Sequence, residues 1–314
     1  MYARFLSCFH LTVLLKRLYT VPMNRKTIAT HDGAFHADDV LAVATLLLLE
    51  PEAIVVRVRD EATIAAADFA VDVGGVYDEM QNRFDHHQIE GAGVRLNSIP
   101  FAAFGLVWKR FGEELSGNAL VAELVDRTLV LPIDANDNGI DLSRQNLPHL
   151  SSYEIFDVIR AFIPTWQEKQ APMDDAFAEA VSFAKRIIVR EIRRAAAVVA
   201  GQKKIKEAYL AATDKRLVVL DEDYSWKNAL AEVPEPLYVV HPQNGTWRLY
   251  CVRDNPHLFV NRKDLPEAWA GLRDTELTKI TGVSDAVFCH RNRFMAVAKS
   301  KEGATELARK ALTS

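Results

Sequence analysis

Residues 30–40 read Thr-His-Asp-Gly-Ala-Phe-His-Ala-Asp-Asp-Val, histidines and aspartates between two apolar runs. That is too polar for a core and too dense for an ordinary loop. His31, His36 and Asp38 converge on one point if the segment is a tight turn leaving a strand. Imidazole with carboxylate, and without thiolate, is the donor set of divalent Mn, Zn, Fe or Co. Three further clusters follow. Asp72 stands in Val-Asp-Val-Gly-Gly (71–75), near the carboxyl end of an apolar run, where open α/β sheets place ligands. Asp85, His86 and His87 form the next; neighbours on a strand face opposite ways, so one histidine can ligate while the other takes a second role. Asp134, with Asp137 three residues on, is the fourth. Taken singly, each is more often a satisfied polar residue or a helix cap than a ligand. Together they supply histidines and carboxylates in order along the chain, a set that suits two divalent ions bridged by a carboxylate. Two such ions clamp the attacking and leaving oxygens of a phosphoryl displacement. Asp39 reads as a cap or orienting residue of the helix that begins there, and Asp32 as a surface acid.

The elements that must position these groups alternate. Residues 27–30, 54–58 and 69–73 read as strands, and 40–50 and 61–67 as helices, which means parallel βαβ units and a covered sheet. Residues 84–88 make a further site-like segment, and 89–97 a glycine-containing loop. Helices are expected over 101–111, stopped by Gly112, and over 119–131, ending near Pro132. Residues 133–139 then become a polar turn and 140–151 a loop. After a helix over 153–162, residues 174–212 form one long helical stretch, acidic at its start and basic later, as the helix dipole prefers. From residue 216 the texture changes to short strands (217–220, 237–240, 247–252, 286–289 and 294–298) with helices over 275–281 and 302–312. The expected fold class is α/β. A parallel-sheet N-terminal metal-binding domain over 27–170 is joined by a long helix over 171–213 to a smaller α/β C-terminal domain over 214–314.

The 314 residues are 49% hydrophobic and 25% charged, an ordinary globular composition. Net charge is −4 and the pI about 6.2, so no overall basic field draws the chain to nucleic acid, and any nuclease activity must rest on a local site. Cys8, Cys251 and Cys289 are far apart with no CxxC, which excludes a Cys-rich zinc site and fits a reducing compartment. Cys289 is expected to be a buried core thiol. Residues 1–26 carry five basic residues and no acid. They read either as a transit-like extension of a mitochondrial protein or as sequence upstream of a start at Met23 in a cytoplasmic one. The second reading is preferred, because Met23 leads straight into the first strand. No apolar run approaches the roughly 18–20 residues of a membrane span.

The spelling is more specific than the chemistry. His-x4-His-x-Asp (31–38), Val-Asp-Val-Gly-Gly (71–75) and Asp-His-His (85–87) resemble the first three motifs of the DHH phosphoesterase superfamily, and Asp134 resembles its fourth. His-Asp-Gly-x-Phe-His-x-Asp-Asp (31–39), Asp-Val-Gly-Gly-x-Tyr-Asp (72–78), Asp-His-His-Gln (85–88) and Asp-Ala-x-Asp-Asn-Gly (134–139) resemble the melanocyte proliferating gene 1 family of metal-dependent hydrolases. That likeness continues through Trp247-Arg248, residues 265–274, His290 and residues 301–304, and covers nearly everything from residue 27 onward. The resemblance implies metal ligands at His31, His36, Asp38, Asp72, His86 and Asp134. It implies a catalytic His87 near the scissile phosphate, with Asp85 beside it, and a C-terminal domain that closes over the substrate. The implied cofactor is a pair of Mn2+ ions, with Mg2+, Co2+ or Zn2+ as alternatives.

The function expected on this basis is 3′–5′ RNA exonuclease activity on RNA or short oligonucleotides, through a hydroxide activated by two metals. Its rivals are a phosphatase or pyrophosphatase of small phosphorylated substrates, and a non-catalytic metal-binding regulatory protein. One position departs from the superfamily. Its members often bind the substrate phosphate through a glycine pair in the C-terminal domain, and the aligned position here is Ala296-Val297. His290, Arg293 and Lys299 are expected to supply positive charge there instead. The oligomeric state stays open, a homodimer being one form, and no membrane partner is expected.

Overall fold

The computed structural model describes residues 25–142, 151–168 and 171–314. Expectations for residues 1–24 and for the loop over 143–150 lie outside the described residues. Among the described residues the chain is mixed α/β with two five-stranded sheets. It divides into two compact units between Ile192 and Arg193.

In the first unit, β1 (Thr27–Thr30) sits between β2 (Ile54–Arg57) and β3 (Phe69–Val71). The sheet continues through β5 (Arg83–Phe84) to β4 (Tyr77–Asp78). The first four are mutually parallel and β4 is antiparallel at the edge. Parallel strands covered on both faces read as apolar runs rather than alternating ones, and β3 is buried throughout. Helix α1 (Ala37–Leu49) is apolar on nearly every side because it is enclosed; Val40 through Ala44 and Leu46 are inaccessible to solvent. A short α2 (Glu61–Ala66) is capped by Asp60, whose carboxylate accepts from Thr63 N–H at 2.9 Å.

Two expectations about helices are corrected. The helix expected to stop at Gly112 runs on as α3 (Ala103–Ser116) and ends at Gly117, which is left-handed at φ 70°. Gly112 serves packing, not termination: a Cβ there would stand 2.7 Å from the Trp108 indole. The helix expected to end near Pro132 is α4 (Ala119–Val125), which continues through a π turn over Asp126–Val130 into α5 (Leu131–Asp137). The wider π turn resets the hydrogen-bond register, so Pro132 falls in the first turn of α5, where its missing N–H costs nothing. Residues 133–137 are therefore helical. Helices α6 (Ile155–Arg160) and α7 (Met173–Ala211, 39 residues) follow, and Phe177, Ala180, Val181, Ala184 and Ile188 of α7 are buried in this unit.

The second unit has the sheet order β6-β7-β8-β10-β9. The strands are β6 (Leu217–Val219), β7 (Tyr238–Gln243), β8 (Thr246–Cys251), β9 (Ala286–Cys289) and β10 (Met295–Ala298). Only the β6–β7 pair is parallel. Its two faces bury separate clusters. Tyr238, Val240 and Leu249 pack with Leu307, Ala308 and Ala311 of α10 (Lys301–Thr313), and with Leu277 of α9 (Asp274–Thr281). Val218, Val239 and Val252 pack with Ile205 of α7, and with Trp226 and Leu230 of α8 (Trp226–Ala231). Cys251 and Cys289 are buried free thiols, and burial pushes them up to about 12 and about 11. No described helix is long and apolar enough to cross a membrane.

Candidate metal centre

The four parallel strands of the first unit end on one side of their sheet, and the polar clusters leave from those ends. His31 follows β1, Asp72 follows β3, and Asp85, His86 and His87 follow β5. This is the edge where open α/β sheets bind ligands. A cavity of about 990 Å³ lies there, and His31, His36, Asp38, Asp72, Asp85, His87 and Asp137 line it.

Asp72 is the pivot. Its backbone is left-handed, φ 53°, a conformation disfavoured for most side chains but tolerated by Asp, and its N–H bonds Phe84 O at 3.1 Å. The bend sends the carboxylate between imidazoles. Oδ2 lies 3.5 Å from His31 Nε2, and Oδ1 lies 3.3 Å from His86 Nε2 and 3.4 Å from His87 Nδ1. His86 Nε2 is also 3.2 Å from Asp137 Oδ2 and 4.0 Å from Asp38 Oδ2. His31 Nε2 is 3.2 Å from Asp39 Oδ2. Among the described residues, three overlapping groups have ligand atoms within 4.8 Å of one another: His31 with His36 and Asp72, Asp72 with His86 and His87, and Asp38 with His86 and Asp137.

The donor atoms fit a cation. His31 Nε2, Asp39 Oδ2, Asp72 Oδ1 and His86 Nε2 are all buried without a well-aligned hydrogen bond. Buried polar atoms are normally paired, and a divalent ion among them would satisfy several at once. Without one, the histidines carry the positive charge. Asp39 and Asp72 hold His31 up to about 10, against the opposing effect of burial. Burial pulls His86 down, but Asp137, Asp72 and Asp38 outweigh it and raise it to about 11. Burial pushes Asp72 up, yet His31 and His86 hold it below the usual carboxylate range. Asp38 goes the other way: burial, then repulsion from Asp72 and Asp137, push it well up. Burial also raises Asp39, partly offset by His31.

Backbone N–H groups hold three carboxylates of the site, those of Asp39, Asp38 and Asp85. Asp39 accepts from His36 N–H at 2.8 Å and Val40 N–H at 2.9 Å, the capping role its position suggests. Asp38 crosses to α3, accepting from Ala103 N–H at 2.9 Å and Phe104 N–H at 2.7 Å. Each carboxylate oxygen has two lone pairs, so these bonds leave capacity toward His86. The loop between β1 and α1 is gripped by Arg57. Its guanidinium donates to Gly33 O at 2.6 Å and to Asp174 at 2.8 Å, and lies 4.6 Å from the Phe177 ring, against which Phe35 packs edge-on. Asp85 accepts from Gly75 N–H at 2.6 Å and holds His87 through Nδ1 at 2.8 Å. That leaves His87 in the cavity wall with 63% of its side chain exposed.

Two sets of expected residues do not gather. Asp134 keeps its carboxylate on Arg95 and on Gly105 N–H at 3.0 Å, fully buried. Burial raises it to about 7, partly offset by Arg95. Asp137, one helical turn further, is the acid that reaches His86. In the second unit, His290 precedes the turn into β10 and Lys299 follows that strand, so the two stand at its opposite ends. Arg293 pairs with Asp264 at 3.1 Å. Ala296 and Val297 are buried within β10. Arg59 and Arg160 also line the cavity, and the sequence reading passed over both. The available signal was position: Arg59 stands just past β2, as His31 stands just past β1.

Comparison with known proteins finds relatives over most of the chain. The family MYG1_exonuc, described as Uncharacterised protein family (UPF0160), matches residues 27–312. A MYG1 protein of Schizosaccharomyces pombe is 33% identical over 318 residues, covering 92% of this chain and 98% of its own. The MYG1 exonuclease of Homo sapiens is 29% identical over 335 residues, covering 95% and 88%. Among solved structures, exonuclease RecJ bound to manganese aligns with 97% of this chain and 94% of its own at 13% identity. Its TM-score of 0.29 is too low to bear on the chemistry. With its family pattern matched from the first strand to the last helix, the chain belongs to the MYG1_exonuc family.

Proposed function

We propose that this chain is a metal-dependent phosphodiesterase, an exonuclease that shortens RNA from its 3′ end with two divalent cations, Mn2+ first among them. The observation that carries the reading is the placement of Asp72. One of its oxygens faces His31 and the other His86, so one carboxylate serves two cation sites. His31, His36 and Asp72 would hold one ion; Asp38, His86 and Asp137, with the other oxygen of Asp72, would hold the second. Asp137 would take the part that the family resemblance implies for Asp134. Such ions, when bound, act as Lewis acids toward a phosphoryl oxygen and bring the pKa of water toward neutrality. The name of the human relative, MYG1 exonuclease, supports the nuclease part of the reading.

The chain's own groups divide the rest. The bond from His87 Nδ1 to Asp85 fixes the ring and leaves Nε2 for the leaving oxygen, to which it delivers a proton. Asp85 touches no substrate in this scheme; it is a positioning residue, itself held by Gly75 N–H. In the second unit, taken here as the substrate-binding domain, His290 and Lys299 contact substrate, and Arg293 joins them when it leaves Asp264. The buried free thiols of Cys251 and Cys289 support a reducing compartment, here the cytoplasm.

The test is elemental analysis of the purified chain, followed by incubation of the Mn2+-loaded protein with a 5′-labelled oligoribonucleotide. Two ions per chain and stepwise loss of 3′ nucleotides are expected, with both lost in Asp72→Asn. A loaded protein that leaves RNA intact and cleaves pyrophosphate moves the reading to small phosphorylated substrates. One that cleaves neither removes it.

A further inference from the structure

The strand ends of the first unit are not all alike. β1, β3 and β5 deliver His31, Asp72 and the Asp85 segment to the cavity. β2 delivers a cation. Its chain stays beside β1 through Val58 N–H to Thr30 O at 2.8 Å, and Arg59, the next residue, lines the same cavity. The guanidinium is held along one side by Asp32, with Nε 2.9 Å from Oδ1, and its side chain is 67% exposed. A second guanidinium lines the cavity from the last residue of α6. Arg160 is held through one terminal nitrogen, 2.6 Å from Asp157 Oδ1, and is 75% exposed. Phe156 and Ile163 line the wall on either side of it in sequence.

Neither arginine has a structural duty that accounts for its place. Exposed ion pairs such as Arg59–Asp32 and Arg160–Asp157 contribute little to stability. What they share is the wall of a cavity whose other pole is carboxylate and imidazole. Cations at that pole serve the phosphate being cut. A polynucleotide carries further phosphates that those ions do not reach, and the planar fork of a guanidinium matches a phosphate in two-point fashion. A carboxylate holding part of each fork pre-orients it and leaves other N–H groups for the ligand.

We propose that Arg59 and Arg160 bind the phosphates flanking the scissile one in single-stranded nucleic acid. They are substrate-binding residues of a clamp built within the first unit. This rests on the phosphodiesterase reading above, and it adds the requirement that the substrate extend beyond one phosphate.

The test is equilibrium binding to the full-length Mn2+-loaded chain. The probes are inorganic phosphate and a single-stranded RNA tetramer with phosphorothioate links. Arg59→Ala and Arg160→Ala should each weaken tetramer binding by about tenfold, the scale of one charge-assisted contact. Inorganic phosphate binding, metal content and melting temperature should not move. Arg59→Lys should recover part of the loss, because it keeps the charge without the fork. Unchanged tetramer affinity in both alanine variants overturns the clamp, and so does an equal loss for inorganic phosphate, which would place the arginines at the metal pole. The two readings fail separately. A wild-type chain that cuts no RNA, yet loses tetramer affinity in the variants, keeps the clamp and loses the nuclease. A chain that cuts RNA equally well with both arginines replaced keeps the nuclease and loses the clamp.

Discussion

Asp134 and Asp137 stand one turn apart on α5 and do opposite work. Asp134 is locked to buried Arg95 and to Gly105 N–H, whereas Asp137 reaches His86. Replacing Asp134 by Asn removes one of the two carboxylates on the buried Arg95 guanidinium and leaves Asp126, 2.8 Å away, as the other, which costs about 1–3 kcal/mol. Urea denaturation should show that loss, while the folded fraction still takes up its full complement of metal. Asp137→Asn should do the reverse, unfolding near wild type but binding one ion fewer by elemental analysis. If the two phenotypes are exchanged, the ligand assignment is wrong. The histidines give a pH signature. His31 and His86 sit at about 10 and about 11 in the metal-free fold, against an ordinary 6.5. A group raised on folding stabilises fully below its unfolded value and loses that contribution as pH climbs through the folded one. In EDTA the melting temperature should therefore fall as pH rises from 6.5 toward 10. Ligation needs neutral imidazole, so cation binding must release protons, and affinity must rise over the same interval. Calorimetry in buffers of different ionisation enthalpy reads the proton release directly; a flat profile for both quantities would remove the charged-histidine picture.

At the scale of elements, the strand ends that carry the site were readable, and the helix ends near Gly112 and Pro132 were not. β1 and β3 are buried apolar runs, and each stops where a histidine or aspartate begins, so hydrophobicity alone marks where the site must lie. Residue type at those ends drew attention to His31, His36, Asp38, Asp72 and His86, the family resemblance implied their ligand role, and the structure sets their donor atoms in overlapping groups. Helix ends depend on contacts that local rules do not contain. Pro132 signals a stop, but the preceding π turn makes it the start of α5, and without that helix nothing in the sequence separates Asp134 from Asp137. Gly105 was silent for the same reason. It is where α3 admits the Asp134 carboxylate: a Cβ there would fall 1.8 Å from Oδ2. Gly105→Ala should thus push α3 and α5 apart and cost about 1–3 kcal/mol or more. Because Asp38 binds the first N–H groups of α3, the same substitution should weaken metal binding from a distance. Thermal melts and metal titration of this single variant check both effects; wild-type values in each would show that the contact between these helices tolerates a methyl group.

The molecule as a whole places its candidate chemistry in one unit. Among the described residues, every group with ligand geometry belongs to the first unit, although each unit has a sheet and a core of its own. A ligand that binds only the folded state stabilises by about 2.7 kcal/mol at a hundred times its dissociation constant. That stabilisation should register where the ligand atoms are anchored, and not evenly along the chain. Hydrogen exchange read by mass spectrometry, with Mn2+ and with EDTA, should show the cation slowing exchange across β1, β3 and β5. The starts of α1 and α3 should slow as well, since their first N–H groups bind Asp39 and Asp38. Amides of β7, β8 and β10 should exchange at the same rate in both conditions. Protection that appears first in the second unit would place the metal elsewhere than at Asp72. Protection in the first unit of the Asp72→Asn variant equal to wild type would show that the bridging carboxylate is not what joins the two halves of the site. The Asn side chain keeps the shape and tolerates the left-handed backbone of residue 72, so a loss of protection in that variant reports on charge at the bridge and not on a collapsed turn.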